Sequence, residues 1–398
     1  MLTTVAVRGY RSLRDVVLPL GPLTVVTGAN GTGKSNVYRA LHLLAATARE
    51  GAPAALAREG GLPSALWAGP EQGGGTEGTM RRRPVRVELG VAGEETGYAL
   101  ALGLPQPTGL PDPFERDPEV KEETVWAGPV PRPSAVLTER RGPHVRTRGD
   151  HGWETLTGSA RPHESMLDVV ADPNRAPELV TLREELRSWR LYDHLRTDPG
   201  APARFPRPGS RTSALADDGA DLAAALASVR AMGDDRALAA ALDDAFPGSR
   251  LEVAAADGVF EVLLHQPGLL RPLRAAELSD GTLRFLMVTA ALLTPRPPQL
   301  LVLNEPEQSM HASLLPALAR MTVRATRHTQ VVVVTHSTAL AVELASAGGA
   351  EAGGPDSPDD GSTEVRDRVV MLELAKEAGE TVVVGQEGLL DRPAWTWP

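Results

Sequence analysis

A chain of 398 residues with 42% hydrophobic content is long enough for two or three average domains, or for one large domain carrying an insertion. A formal net charge of −10 and a pI near 5.5 argue against a globally basic nucleic-acid binder and leave only a local basic face for that role. The absence of cysteine excludes disulfides, zinc–thiolate sites and cysteine nucleophiles.

The chain opens on three short β-like runs, 2–7, 16–20 and 23–27, separated by turn residues. This start reads as a first strand rather than a secretion signal. The longest apolar stretch, 283–293, is interrupted by Arg284 and reads as a buried helix rather than a membrane span. The expected location is therefore the cytoplasm, with no membrane partner. A helix is expected over 36–47, then a Gly/Pro/Ala-rich loop over 51–78, then an antiparallel hairpin from 85–91 and 98–102. Residues 105–149, rich in Pro, Arg and Glu, read as irregular or peripheral β structure. Leu179, Leu182, Leu186 and Trp189 have helical spacing within 178–195. Further helices are expected over 221–229 and 236–245. The second half resumes with strands at 251–255 and 259–264 and a helix from Ser279. A buried strand over 299–303, a helix over 311–327 and a second buried strand over 330–334 follow. A Gly/Ala/Asp/Ser-rich stretch, 346–363, reads as disordered, and edge strands at 369–374 and 381–384 close the chain. These elements divide the sequence into an N-terminal part (1–104), a partly helical insertion (105–248) and a C-terminal part (249–398).

Four segments carry chemistry. Gly28-Ala29-Asn30-Gly31-Thr32-Gly33-Lys34-Ser35 is the P-loop pattern, set between a strand and a helix that opens near Asn36. That order aims backbone N–H groups and a helix N-terminus at one point, as a polyphosphate requires. Lys34 would reach the terminal phosphates and the Ser35 hydroxyl would ligate magnesium. Leu278-Ser279-Asp280-Gly281-Thr282 opens a helix, with Ser279 as N-cap and Gly281 permitting close backbone approach. It is either an ordinary capped helix or a second phosphate contact, supplied to a nucleotide held by another subunit. The strand ending in Asn304-Glu305-Pro306-Glu307 puts polar groups at the edge where α/β sheets bind ligands. Glu305 is suited there to orient or deprotonate an attacking water. The strand ending in Thr335-His336-Ser337 offers His336 as a sensor of the γ-phosphate.

Together these segments resemble the ATP-binding-cassette ATPases, in the branch of SMC, RecF and OLD-type proteins. Gly9-Tyr10-Arg11-Ser12-Leu13 and Glu305-Pro306-Glu307-Gln308-Ser309-Met310-His311 are similar to motifs of that branch. Gly388-Leu389-Leu390-Asp391 and Trp395-Thr396-Trp397 resemble a group of single-domain bacterial AAA/ABC ATPases of about this length. The likeness is strong over roughly 1–50 and 275–340 and weak over the insertion. It implies an α/β P-loop NTPase fold: an ABC-type ATPase head with a mixed sheet. It implies Gly28 to Asn36 as nucleotide cradle, Ser279 and Gly281 as signature, Asn304 at the Walker B position, Glu305 as base, Ser309 to His311 at the D-loop and His336 as switch. It also implies ATP and Mg2+ as cofactors. Each chain carries one set, so the partner implied is a second copy, with ATP sandwiched head to tail. Nucleic-acid maintenance or defence against invading DNA is the implied setting, with DNA or RNA and a separate effector protein as further candidate partners.

The chain departs from the family pattern at Asn304, where an aspartate is usual. An amide oxygen still accepts a hydrogen bond but brings no charge, so weaker magnesium binding and slow turnover are expected. The glutamine of the Q-loop has one candidate, Gln72. Arg81–Arg83 with Arg86, and Arg140, Arg141, Arg146 and Arg148, could meet nucleic-acid phosphates or simply be solvated; the same holds for Arg183, Arg187 and Arg190. Two rival readings stay open: a scaffold dimer gated by ATP with little hydrolysis, and a transporter's ATP-binding subunit, disfavoured by the insertion and by Asp280. An appended nuclease domain is not expected in the roughly sixty residues after His336.

Overall fold

The computed structural model describes residues 1–69, 86–106, 112–351, 369–388 and 390–398. In chain order its strands are β1 (Leu2–Tyr10), β2 (Leu13–Pro19), β3 (Leu23–Gly28), β4 (Arg86–Gly93), β5 (Thr96–Gly103), β6 (Glu119–Ala127), β7 (Val136–Arg141), β8 (His144–Gly149), β9 (Gly152–Thr157), β10 (Arg190–Tyr192), β11 (Arg207–Pro208), β12 (Arg250–Ala256), β13 (Val259–His265), β14 (Leu273–Arg274), β15 (Leu300–Asn304), β16 (Gln330–Val334), β17 (Val369–Glu377) and β18 (Glu380–Val383). The α-helices are α1 (Lys34–Glu50), α2 (Ala52–Ala57), α3 (Leu62–Ala65), α4 (Met166–Val169), α5 (Pro177–Ser188), α6 (Leu222–Met232), α7 (Asp235–Ala245), α8 (Asp280–Leu292), α9 (Leu315–Ala325) and α10 (Thr338–Glu351). The chain forms two compact units: Met1–Gly21, Gly28–Trp189 and Leu372–Pro398 make the first, Pro22–Thr27 and Arg190–Met371 the second.

The first unit is built on an eight-stranded sheet of order β2-β1-β4-β5-β6-β7-β8-β9, with every neighbour antiparallel. Its apolar side chains, among them Val5, Val7, Leu89, Leu100 and Val125, are buried. Helix α1 buries Val37, Leu41 and Leu44, a spacing that lines one helical face. At its other end Arg187 Nε of α5 donates to Ala48 O (2.8 Å), and Arg49 donates back to the carbonyls of Arg187 and Trp189. Cations on the last carbonyls of a helix offset its negative end. Within the sheet, Glu123 of β6 and Arg140 of β7 are both 0% exposed and lie 3.4 Å apart. Glu123 also accepts from Tyr98 Oη (2.6 Å), Ser165 Oγ (2.5 Å) and the Met166 amide (2.7 Å). A buried charge persists only when paired and hydrogen-bonded in this way. Burial, with Glu123 alongside, pushes the Tyr98 phenol far above its ordinary value.

The second unit holds a parallel sheet of order β10-β15-β16-β3. The unbroken runs Leu300–Leu303 and Val331–Val334 are wholly buried, as strands covered on both faces must be. Their core is shared with Leu283, Phe285 and Leu286 of α8, Leu318 of α9, Leu340 and Leu344 of α10, and Leu226 and Val229 of α6. β11, β13 and β12 form a small antiparallel sheet, with β14 paired to β13.

Three expectations are corrected. Residues 105–248 form no body of their own: β6 to β9 extend the sheet begun by β1 and β2, while 190–248 fall in the second unit. Antiparallel hairpins added one by one to an existing edge complete a sheet rather than found a domain. The helix expected over 178–195 stops at Ser188. Trp189 turns extended, and Arg190–Tyr192 becomes a strand because it pairs with Leu301–Leu303. The disorder expected over 346–363 fails at its start, since α10 runs to Glu351; residues 352–363 lie outside the described residues.

Candidate functional site

The loop from Gly28 to Ser35 lies in the first unit. Gly28, Gly31 and Gly33 take φ of +145°, +80° and +107°, which only glycine adopts without strain. A Cβ at Gly33 would strike the Thr381 hydroxyl, and one at Gly28 the Leu374 carbonyl. Thr381 is therefore part of the loop's support: its hydroxyl donates to Thr32 O (2.7 Å) and shares a hydrogen bond with Ser12 Oγ (2.7 Å). Asn36 Nδ2 donates to the same Ser12 Oγ (2.8 Å), and Thr32 Oγ1 donates to Ala29 O (2.9 Å). Lys34 is buried, and its ammonium turns into the loop, donating to the carbonyls of Gly28 (2.7 Å) and Ala29 (2.9 Å). Ala29, Asn30, Gly31 and Ser35 are exposed. Gly33 caps α1 with no side-chain acceptor, and the first turn holds no acidic residue. Such a helix start favours an anion. Thr381 was missed by sequence reasoning, because nothing in a threonine 349 residues along the chain announces the contact.

The second unit brings Asn304, Glu305 and His336 together at the C-terminal ends of β15 and β16. Glu305 takes φ +48°, a left-handed conformation rare outside glycine, and its amide donates to Val334 O (2.7 Å). A non-glycine residue held there costs about 1–3 kcal/mol and clusters at functional sites. His336, half exposed, sets Nδ1 3.3 Å from Glu305 Oε1 and 3.8 Å from Glu307 Oε1. Thr335 Oγ1 also donates to Glu307. Behind them Arg284 of α8 donates to the carbonyls of Leu195 (2.9 Å) and Glu305 (3.2 Å). Burial pulls this guanidinium below arginine's usual value, and the carboxylates of Glu307, Asp193 and Glu305 oppose the shift. Asn304, 9% exposed, donates from Nδ2 to Asp193 Oδ1 (2.6 Å). Asp193 follows β10, the strand hidden inside the expected helix, and so escaped sequence reasoning.

Ser279 caps α8, its Oγ accepting from the Thr282 amide (3.2 Å), and is exposed. Gly281 is buried, and the backbone that approaches it is Ser309's: a Cβ there would lie 2.5 Å from Ser309 O. Arg204, nearly buried, holds this segment by donating to the carbonyls of Leu278 (2.7 Å) and Ala275 (3.3 Å) and to Asp280 Oδ1 (2.5 Å).

The basic residues proposed for nucleic acid are mostly engaged. Arg140 is buried against Glu123, and Arg146 pairs with Glu139 and, with Arg148, stacks on Trp153. Arg183 and Arg187 donate to backbone carbonyls. Gln72, Arg81–Arg83 and Leu389 lie outside the described residues.

Comparison with known proteins places this geometry. A family profile described as "AAA domain, putative AbiEii toxin, Type IV TA system" matches residues 23–121 and 163–343. A stretch of 44 residues is 48% identical to an OLD nuclease of Thermus scotoductus; it is 11% of this chain and 8% of that protein, so under a tenth of the relative is spanned. Among solved structures, an SMC head bound to the C-winged helix domain of ScpA matches with a TM-score of 0.52 and 14% identity, over 96% of this chain and 97% of that one. At that identity the likeness is one of fold: a mixed α/β P-loop NTPase.

Proposed function

This chain belongs to that AAA-domain family and has the fold of SMC-type ATPase heads, and we propose that it binds and hydrolyses ATP, two copies closing head to tail on the nucleotide and reopening afterwards. The observation that carries this reading is the pair Glu305 and His336, set 3.3 Å apart at the ends of two adjacent buried parallel strands. Glu305 orients the attacking water and accepts its proton, while His336 holds the Glu305 carboxylate and contacts the γ-phosphate. Lys34 leaves the carbonyls of Gly28 and Ala29 to meet the phosphates, and the amides from Ala29 to Asn36 cradle them. Ser279 and Gly281 of the opposing copy cap the nucleotide.

Magnesium, when bound, neutralises charge on the β- and γ-phosphates. The residues that would hold it are Ser35 and Asn304. Each by itself has oxygen chemistry suited to it: the Ser35 hydroxyl is exposed, and Asn304 Oδ1 is buried with no hydrogen-bond partner among the described residues. Those residues contain no cluster of three or more His, Cys, Asp or Glu suited to a metal ion. Magnesium does not ask for one, since it is commonly held by one or two protein ligands together with substrate phosphates and waters.

The neutral side chain of Asn304 favours a second reading: a dimer gated by ATP, with little hydrolysis, that scaffolds a separate effector. The SMC head matched above is itself bound to a domain of another protein. The proposed setting is cytoplasmic, in nucleic-acid maintenance or anti-invader defence, with DNA or RNA as a partner and no membrane partner. No helix among the described residues is long and apolar enough to cross a membrane. The test is ATP turnover with and without DNA, alongside the mass of the complex. Glu305→Gln is expected to accumulate an ATP-bound dimer, and Lys34→Ala to lose nucleotide binding. Only monomer for Glu305→Gln with ATP and magnesium refutes the sandwich.

A further inference from the structure

We propose that Asp193 and Asn304 act as one divalent-cation acceptor divided between neighbouring strands, Asp193 bringing the charge and Asn304 a neutral oxygen. The inference rests on the ATP–magnesium reading above and deepens it. β10 and β15 run parallel with Tyr192 opposite Leu303, so Asp193 and Asn304 are the next residues on each strand and stand side by side at the sheet edge. The 2.6 Å hydrogen bond from Asn304 Nδ2 to Asp193 Oδ1 fixes the amide. The reverse orientation would face two acceptor oxygens. Asn304 Oδ1 is thereby turned away, buried and without a donor among the described residues. An unsatisfied buried acceptor costs about 1–3 kcal/mol. An oxygen of this kind suits a cation or one of its waters. The other Asp193 oxygen, Oδ2, lies 3.1 Å from Nε2 of His194, whose side chain is 89% exposed. The Asp193 side chain itself is 24% exposed.

This arrangement explains why β15 ends in asparagine. With Asp193 in place, an aspartate at 304 would remove the Nδ2 donor and set two acceptor oxygens against each other at hydrogen-bond distance. One carboxylate plus one amide carries the single negative charge that a lone aspartate would.

The test is Mn2+ affinity, read by the electron-spin signal of free Mn2+, on the full chain with a non-hydrolysable ATP analogue. Nucleotide affinity in a chelator is measured in parallel. Asp193→Asn is expected to lose about 10- to 100-fold in Mn2+ affinity, the range for residues that tune a metal site, with chelator-condition nucleotide binding unchanged. The exchange Asp193→Asn with Asn304→Asp restores the affinity, since it keeps the pair and its charge. Wild-type Mn2+ affinity in Asp193→Asn, or an exchange that restores nothing, overturns the proposal. If Asp193→Asn does not fold, the exchange decides alone. Failure of the underlying reading looks different: nucleotide binding in chelator would then be absent, or indifferent to Lys34→Ala.

Discussion

Gly33→Ala tests the cradle most directly. The residue holds φ +107°, where a side chain costs about 1–3 kcal/mol. Its new Cβ would also drive into the Thr381 hydroxyl and come within 2.8 Å of Ser12 Oγ. Thr381 would have to leave, giving up its hydrogen bonds to Thr32 O and Ser12 Oγ, each worth about 1 kcal/mol. The sum is roughly 3–5 kcal/mol against the nucleotide-ready loop. At about 1.4 kcal/mol per tenfold, ATP affinity should fall by at least 100-fold. Gly31→Ala is the internal control. It shares the left-handed backbone, φ +80°, but a Cβ there meets nothing within 4 Å. It should cost only the backbone component, about 1–2 kcal/mol, and thus roughly five- to thirtyfold in affinity. Calorimetric titration of each variant with ATP, with and without magnesium, gives both numbers, and thermal melting shows that the unit is folded. Equal affinities for the two alanine variants would refute the claim that Thr381 braces the loop.

Two further outcomes follow from the buried arginines. Glu123→Ala removes the carboxylate partner of Arg140 at zero exposure and leaves the Tyr98 and Ser165 hydroxyl protons and the Met166 amide without that acceptor. Breaking a buried pair this way costs about 3–5 kcal/mol. Urea unfolding should show the loss, and a midpoint unchanged from wild type would show that the network bears no stability. Arg204→Met removes the donor to the Ala275 and Leu278 carbonyls and to Asp280. ATP-driven dimerisation measured by sedimentation should weaken, while nucleotide affinity of the monomer stays as in wild type; an undisturbed dimer would separate this arginine from the signature segment.

The P-loop and its flanks could be read from the sequence because their determinants are local. An apolar tetrad, glycines at fixed spacing and a helix start all lie within about twenty residues. β16 matches its expected bounds for the same reason, a run of four valines. β10 could not be read that way. Three residues, Arg190–Tyr192, become a strand only because β15 lies beside them, and the leucine spacing of α5 runs straight into them. Asp193 was hidden with that strand. Thr381 was hidden by distance along the chain. β6 to β8 lie in a Pro-, Arg- and Glu-rich stretch that reads as irregular or peripheral β structure, and their membership in the first sheet is decided by partners such as Val125 opposite Tyr98. Asn304 looked like a loss of charge in the sequence; Asp193 beside it changes what that asparagine means.

The grip of Arg284 on the Glu305 carbonyl, with Gly281 seated against Ser309, couples the start of α8 to the turn that bears Glu305. A displacement of that helix end therefore bears on the residue in the left-handed turn. One guanidinium, at 3.2 Å from that carbonyl, is thus the lever between the two segments.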